Sequence, residues 1–342
     1  MSVARRLVVP LLPAQTPPFF RALPAYMGGK RKLAPFIFAQ ISDVIPRQEW
    51  ADTVFLDPFC GGGAVALYAK AQGFRVIASD LAERAAVTAR ALIANSSVRL
   101  RLEDVLELFE ERSGRTIPMP ADLMSPMQAA WFANALAVAS SRAEPHRSLL
   151  QLVLIKALLR SMPMSSPKAT DAKAAAAGDF DRISSRRLPT YLNARRLLLP
   201  SGLMRLAEEV NLGVFGGPGV ACKGDALDVI RSTPADILYL DPPYPRTRAY
   251  GFEYGALDHF LGDVLPTRAP PSLDELLEAA RDVRLVVLSY GGPSHDLVSL
   301  TAAVARHRDV RRALAVPYAH LQSIASEKKN ASNKELLVIA GR

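Results

Sequence analysis

Only two cysteines, Cys60 and Cys222, occur in the 342 residues. Two thiols make neither a disulfide framework nor a cysteine zinc site, and they suit a reducing compartment such as the cytoplasm. Histidine is scarce as well: the five present show no metal-ligand spacing, so no metal is expected. No stretch approaches the roughly 20 apolar residues that a membrane span requires. Arg5-Arg6 before Leu7-Val8-Val9 hints at a leader, but Pro10, Pro13, Pro17 and Pro18 break the apolar run. Acid is short relative to base, with 33 Asp and Glu against 42 Lys and Arg, a net charge of +9. That excess favours a polyanionic partner, nucleic acid before membrane; a merely soluble basic surface would read the same.

Apolar residues make up 49%, enough for a sizeable core in one large domain or two ordinary ones. The most informative stretch is Ile237-Leu238-Tyr239-Leu240-Asp241-Pro242-Pro243-Tyr244. Four apolar residues predict a short buried strand. Proline lacks a backbone donor, so the strand must stop at Pro242. The turn then holds a carboxylate, an uncommitted carbonyl and an aromatic face at the strand's carboxyl edge, where open α/β sheets bind ligands. Such a corner suits gripping the amino group of a flat heteroaromatic base. An ordinary Asp-Pro turn is the plainer alternative.

Upstream, residues 1–24 are proline-rich and predict an extended arm. Tyr26-Met27-Gly28-Gly29-Lys30-Arg31-Lys32 follows, two glycines for close backbone approach and three cations as a helix begins over 33–45. Val54-Phe55-Leu56-Asp57-Pro58-Phe59-Cys60-Gly61-Gly62-Gly63 reads as a strand and a glycine turn, with a helix over 64–72. No Gly-Lys-Ser/Thr follows, so this is no phosphate loop, and Asp57 would repel an anion. A cationic or zwitterionic ligand fits better. A second strand, 74–79, ends in Asp80, about 23 residues beyond Asp57, a spacing suited to holding a ribose diol.

Residues 84–110 predict helix. The αβ rhythm then lapses between about 112 and 216, where helices are expected at 126–141 and 148–160. Arg182, Arg186, Arg187, Arg195 and Arg196, interleaved with Tyr191 and Asn193, fit a nucleic-acid surface or a solvated helix face. The rhythm returns at Val220–Leu227. There Asp225, before Ala226, either accepts from an adenine amino group or caps the helix 226–231. Further strands are expected at 284–290 and at 335–340, the last as an edge strand.

In this order the segments Tyr26–Leu33, Asp57–Gly63, Asp80, Gly224–Ala226 and Asp241–Tyr244 resemble the Dam-like family of adenine-specific DNA methyltransferases. The resemblance implies a class I AdoMet-dependent methyltransferase fold, Rossmann-like α/β, with a mostly parallel seven-stranded sheet and one antiparallel strand. It implies a catalytic domain of residues 25–96 and 219–342 and a helical DNA target-recognition insertion at 97–218. S-adenosyl-L-methionine would lie among Tyr26, Gly28, Gly29, Lys30, Asp57, Phe59, Gly61, Gly63, Asp80, Asp225, Ala226 and Asp241. Asp241, Pro242, Pro243 and Tyr244 would serve a flipped adenine in double-stranded DNA, and the five arginines would contact that DNA. A cognate restriction or defence system is an implied partner, and the nucleoid an implied location. The family often has another aromatic at position 26, and residues 112–216 align with no recognition region. Methylation of the cytosine amine and a catalytically silent DNA-binding scaffold are the rival readings.

Overall fold

The computed structural model describes residues 16–26, 28–110, 126–161, 174, 177–183, 185, 188, 192, 196–243, 250–266, 269–292, 294–317 and 334–342. Its centre is a seven-stranded sheet: β1 (Val54–Asp57), β2 (Arg75–Asp80), β3 (Gly219–Lys223), β4 (Ile237–Leu240), β5 (Leu285–Tyr290), β6 (Asp309–Pro317) and β7 (Lys334–Gly341). Across the sheet the order is β3-β2-β1-β4-β5-β7-β6. The first five strands are mutually parallel, and β7 runs antiparallel to both of its neighbours. The chain winds outward from β1 in one direction and from β4 in the other. The crevice between their carboxyl ends is thus a topological switch point.

Alternation along each strand sends side chains to opposite faces. Phe55, Ile237, Tyr239, Leu285, Val287, Leu337 and Ile339 join one core. Leu56, Leu238, Leu240, Val286, Leu288, Val338 and Ala340 join the other. A sheet buried on both faces needs helices on both, which gives the central strands their almost unbroken apolar sequence. The first layer contains α1 (Ala34–Ser42), α2 (Ala64–Ala71), α3 (Glu83–Ala89), α5 (Pro126–Ser140), α6 (His146–Ser161) and α7 (Pro200–Asn211). The second contains α8 (Ala226–Ser232), α10 (Leu273–Ala279) and α11 (Leu297–Ala305). The ends of these last three are set by side-chain caps. Asp225 accepts from Leu227 N, Ser272 from Glu275 N and Asp296 from Ser299 N, each satisfying a backbone donor that the helix leaves open.

Several expectations change. Pro18–Ala22 is not an extended arm but a 3-10 turn, held by burial of Phe20 and Ala22. The Lys156 ammonium of α6, itself buried, donates to the carbonyls of Arg21, Ala22 and Leu23 at the end of that turn. The helix predicted over 84–110 breaks: α3 runs into a π turn, Arg90–Ala94, and helix resumes only at α4 (Leu102–Leu106). Buried Lys70 draws the carbonyls of Leu92 and Asn95 at that break, and Asn95 Oδ1 accepts from Ser97 N and Val98 N. The strand at 334–341 is internal, not an edge, because β6 lies outside it. Two adjacent arginines and a register shift between Val310 and Arg312 disguise the alternation of β6. The aromatic stretch after Tyr244 contains the helix α9 (Tyr250–Phe260). The helices of 126–161 and 200–211 share one core with the sheet.

Candidate active site

Asp57 ends β1, and Asp241 directly follows β4, the adjacent strand across the switch point. Lys30 reaches the same corner from the start of α1. Its ammonium donates to Asp241 Oδ2 at 2.7 Å and to Gly28 O at 3.0 Å, and lies 3.4 Å from Glu335 Oε1. Glu335 is the second residue of β7. Because β7 runs antiparallel, its first residues lie beside Tyr290, at the carboxyl edge of β5. Ser289 Oγ donates to the same Glu335 oxygen at 2.5 Å. Lys30, Asp57, Ser289 and Glu335 are all buried.

Among the described residues, carboxyl groups at 57, 241 and 335 gather near the Lys30 ammonium. Burial, then the neighbouring Asp241, push the Asp57 carboxyl well above the usual carboxylate range. The Phe59 N–H, 3.3 Å from Asp57 Oδ1, and the Lys30 charge offset this only in part.

The glycine turn is clamped from both ends. Asp80 Oδ2 accepts from Gly61 N at 2.9 Å and Oδ1 from Ala82 N at 2.9 Å, so one carboxylate braces the turn and the start of α3. Cys60 N donates to Ser79 O and Gly63 N to Cys60 O. Gly61 and Gly63 have φ of 49° and 77°, conformations that other residues adopt reluctantly. Tyr26 lies directly over the turn. A Cβ on Gly61 would come within 2.8 Å of the Tyr26 ring, and one on Gly62 within 2.7 Å of the Tyr26 Cβ. Tyr26 in turn stacks on Tyr254 of α9, with centroids 5.1 Å apart and planes at 19°. Arg84 of α3 covers Tyr254 at 4.6 Å and pairs with Asp258, one helical turn further along α9. Burial alone would lower the Arg84 pKa, but Tyr26 and Asp258 outweigh it and raise it. The layers Gly61-Gly62, Tyr26, Tyr254 and Arg84 therefore tie the helix after the acidic corner to the helix after Asp80.

This stacking predicts the effect of Gly62→Ala, at a position where φ is unremarkable and only space is lost. Tyr26 must shift by a few tenths of an ångström or more. The expected result is weaker cofactor binding with little change in melting temperature, checked by calorimetric titration beside a thermal melt.

The structure brings together Tyr26, Gly28, Gly29, Lys30, Asp57, Gly61, Gly63, Asp80 and Asp241 around the switch point. Phe59 packs against the second core. Pro242 is buried beside Asp241, and Pro243 half-buried. Asp225 lies at the carboxyl end of β3 as the cap of α8, with Ala226 buried behind it. Arg182 and Arg196 are exposed, and Arg182 pairs with Asp179 at 2.9 Å. Tyr244, Arg186, Arg187, Tyr191, Asn193 and Arg195 lie outside the described residues. Sequence reasoning missed Glu335, Ser289, Arg84, Tyr254 and Asp258. An acid opening an apolar strand was the available signal for Glu335, and the i, i+4 spacing of Tyr254 and Asp258 on an aromatic-rich segment for the stack. Among the described residues no group of three His, Cys, Asp or Glu could hold a metal, and no helix is long and apolar enough to cross a membrane.

Comparison with known proteins meets this geometry at the glycine turn. Residues 26–116 match the family model of the D12 class N6 adenine-specific DNA methyltransferases. The chain is 25% identical over 340 residues to the type II methyltransferase M2.HphI of Haemophilus parahaemolyticus, covering 92% of this chain and 96% of that protein. It is 27% identical over 238 residues to the type II methyltransferase M.NlaIII of Neisseria lactamica, covering 68% of this chain and 67% of that one. The family acts on DNA and implies a methyl donor. In its seven-stranded sheet, acidic corner and matched segments, the chain is similar to the D12 class of N6 adenine-specific DNA methyltransferases.

Proposed function

We propose that the protein transfers a methyl group from S-adenosyl-L-methionine to the exocyclic N6 amine of an adenine flipped out of double-stranded DNA, at one short recognition sequence. The observation that carries this reading is the gathering of acidic side chains at the switch point, Asp57, Asp241 and Glu335 near Lys30. Such a donor set suits a ligand bearing a sulfonium and an ammonium, and it disfavours phosphates. A bound S-adenosyl-L-methionine supplies a methyl group already activated by the positive sulfur.

The chain's own residues then need only position and polarise. The adenine amine is a poor nucleophile because its lone pair is delocalised into the ring. Asp241 and the Pro242 carbonyl accept its two hydrogens, which favours a more tetrahedral nitrogen with the lone pair directed at the methyl. Pro242 and Pro243 keep that carbonyl out of any ladder. Tyr244 offers the flipped base a stacking face, worth roughly 1–3 kcal/mol by analogy with single-strand binders. Asp80 can brace the turn and still accept from ribose hydroxyls, since a carboxylate offers about four acceptor sites. Tyr26 walls the cofactor hollow over the glycines. Asp225, already committed to Leu227 N, borders the adenine of the cofactor together with Ala226.

Residues 97–218 are the part we assign to target recognition, with Arg182, Arg186, Arg187, Arg195 and Arg196 toward DNA. The double substitution Arg186→Ala with Arg187→Ala is expected to weaken DNA binding at all sequences. It should also reduce the slope of log affinity against log salt by about 1–2. An unchanged slope in a fluorescence titration would show that both side chains face solvent. The names of the two relatives support a role beside a restriction enzyme in a restriction-modification pair. Expression in a methylation-free bacterium, followed by modified-base sequencing of its DNA, tests the whole reading: N6-methyladenine in one sequence context is expected. N4-methylcytosine, or unmodified DNA, overturns it.

A further inference from the structure

Glu335 is the second residue of β7, yet it is wholly buried, as is Ser289, its hydrogen-bond donor on β5. A carboxylate withdrawn from water is costly unless it is paired. An apolar residue of similar volume at 335 would serve a core at least as well. Glu335 lies 3.4 Å from Lys30, the same ammonium that holds Asp241.

That sharing has a consequence for the reaction, and it rests on the adenine methylation proposed above. In the observed arrangement Asp241 Oδ2 is engaged by Lys30 at 2.7 Å. The other Asp241 oxygen can accept a hydrogen from the target amine, and the direction it faces is set by where the Lys30 ammonium is held. Glu335 Oε1 stands 3.4 Å from that ammonium, fixed by Ser289. We propose that Glu335 is a positioning residue for methyl transfer, holding the Lys30 ammonium so that Asp241 can turn an oxygen to the amine. Glu335 touches neither the base nor the donor; it acts through Lys30. The antiparallel direction of β7 makes this possible, because it starts a strand at the edge where the parallel strands end.

The test uses the full chain, methylation-free bacterial genomic DNA and tritium-labelled S-adenosyl-L-methionine, with enzyme in excess over DNA sites. Glu335→Gln keeps the shape and an acceptor for Ser289 but removes the charge. The single-turnover rate is expected to fall roughly 10- to 100-fold. The dissociation constants for cofactor and DNA should stay within about twofold. In a Lys30→Met background the same change should alter the rate by less than about threefold, since its intermediary is gone. Should Glu335→Gln fail to fold, as read by its thermal melt, Ser289→Ala decides: a smaller rate loss that also vanishes in the Lys30→Met background supports the proposal. A folded variant with the wild-type rate, an equal loss in both backgrounds, or a loss confined to binding overturns it. Transfer by the wild type distinguishes this from failure of the underlying reading, which would show as no methylation by any form and would remove both.

Discussion

Asp241→Ala is expected to lose methyl transfer by at least about 10²- to 10³-fold while still binding DNA and cofactor. The reasoning is local. Asp241 sits one residue past β4, at the switch point, with its carboxylate held by Lys30. Losing it removes the charged acceptor that localises the amine lone pair, and the Pro242 carbonyl alone cannot orient both hydrogens. Folding should survive, because the Lys30 ammonium retains Glu335 and the Gly28 carbonyl. Asp241→Asn should lose nearly as much, since its amide can point a donor at the amine and its oxygen is uncharged. Single-turnover kinetics beside calorimetric titration separates chemistry from binding. Near wild-type transfer by either variant would take Asp241 out of the mechanism.

The second large effect belongs to Asp57. Burial and Asp241 raise its pKa, so its folded-state value lies above the unfolded one. Between those two values the folded chain binds more protons, and stability falls as pH rises through that window. Above the window the ionised carboxylate burdens the ligand-free protein. Asp57→Asn should therefore melt at a higher temperature near neutral pH, by an amount equivalent to about 1–3 kcal/mol. The same charge should favour a cationic cofactor. Binding S-adenosyl-L-methionine must expel any proton still on Asp57, so affinity should climb with pH, by at most about tenfold per unit, and level off once the carboxylate is ionised. In the Asn variant affinity should drop and this pH dependence flatten. Titrations across pH in buffers of different ionisation enthalpy read the proton directly. A variant that is less stable and equally tight would refute this account of Asp57.

The parts of the molecule readable from sequence were those fixed by neighbours along the chain. Leu56-Asp57-Pro58 and Leu240-Asp241-Pro242 each declare a strand, its end and an acid at its edge within a few residues, and both acids meet at the switch point. What was not readable depended on partners far away. Tyr26 reads as one aromatic among many until Gly61, Gly62 and Tyr254 close on it. Glu335 reads as a polar flank of an apolar strand; only the insertion of β7 between β5 and β6 turns it inward. The strand β6 is not legible because its register shift spoils the alternation, and the break within 84–110 is hidden because Lys70 donates there to the backbone carbonyls of Leu92 and Asn95, which no pattern of side chains reveals.

The place of β7 also orders events during synthesis. β6 pairs with the sheet only through β7, which follows it in sequence. A nascent chain with β6 already outside the ribosome therefore holds an unsatisfied ladder until Lys334–Gly341 emerges and slides in beside β5. The same eight residues carry Glu335 to the acidic corner, so pairing β7 with β5 both joins β6 to the sheet and places that carboxylate beside Lys30.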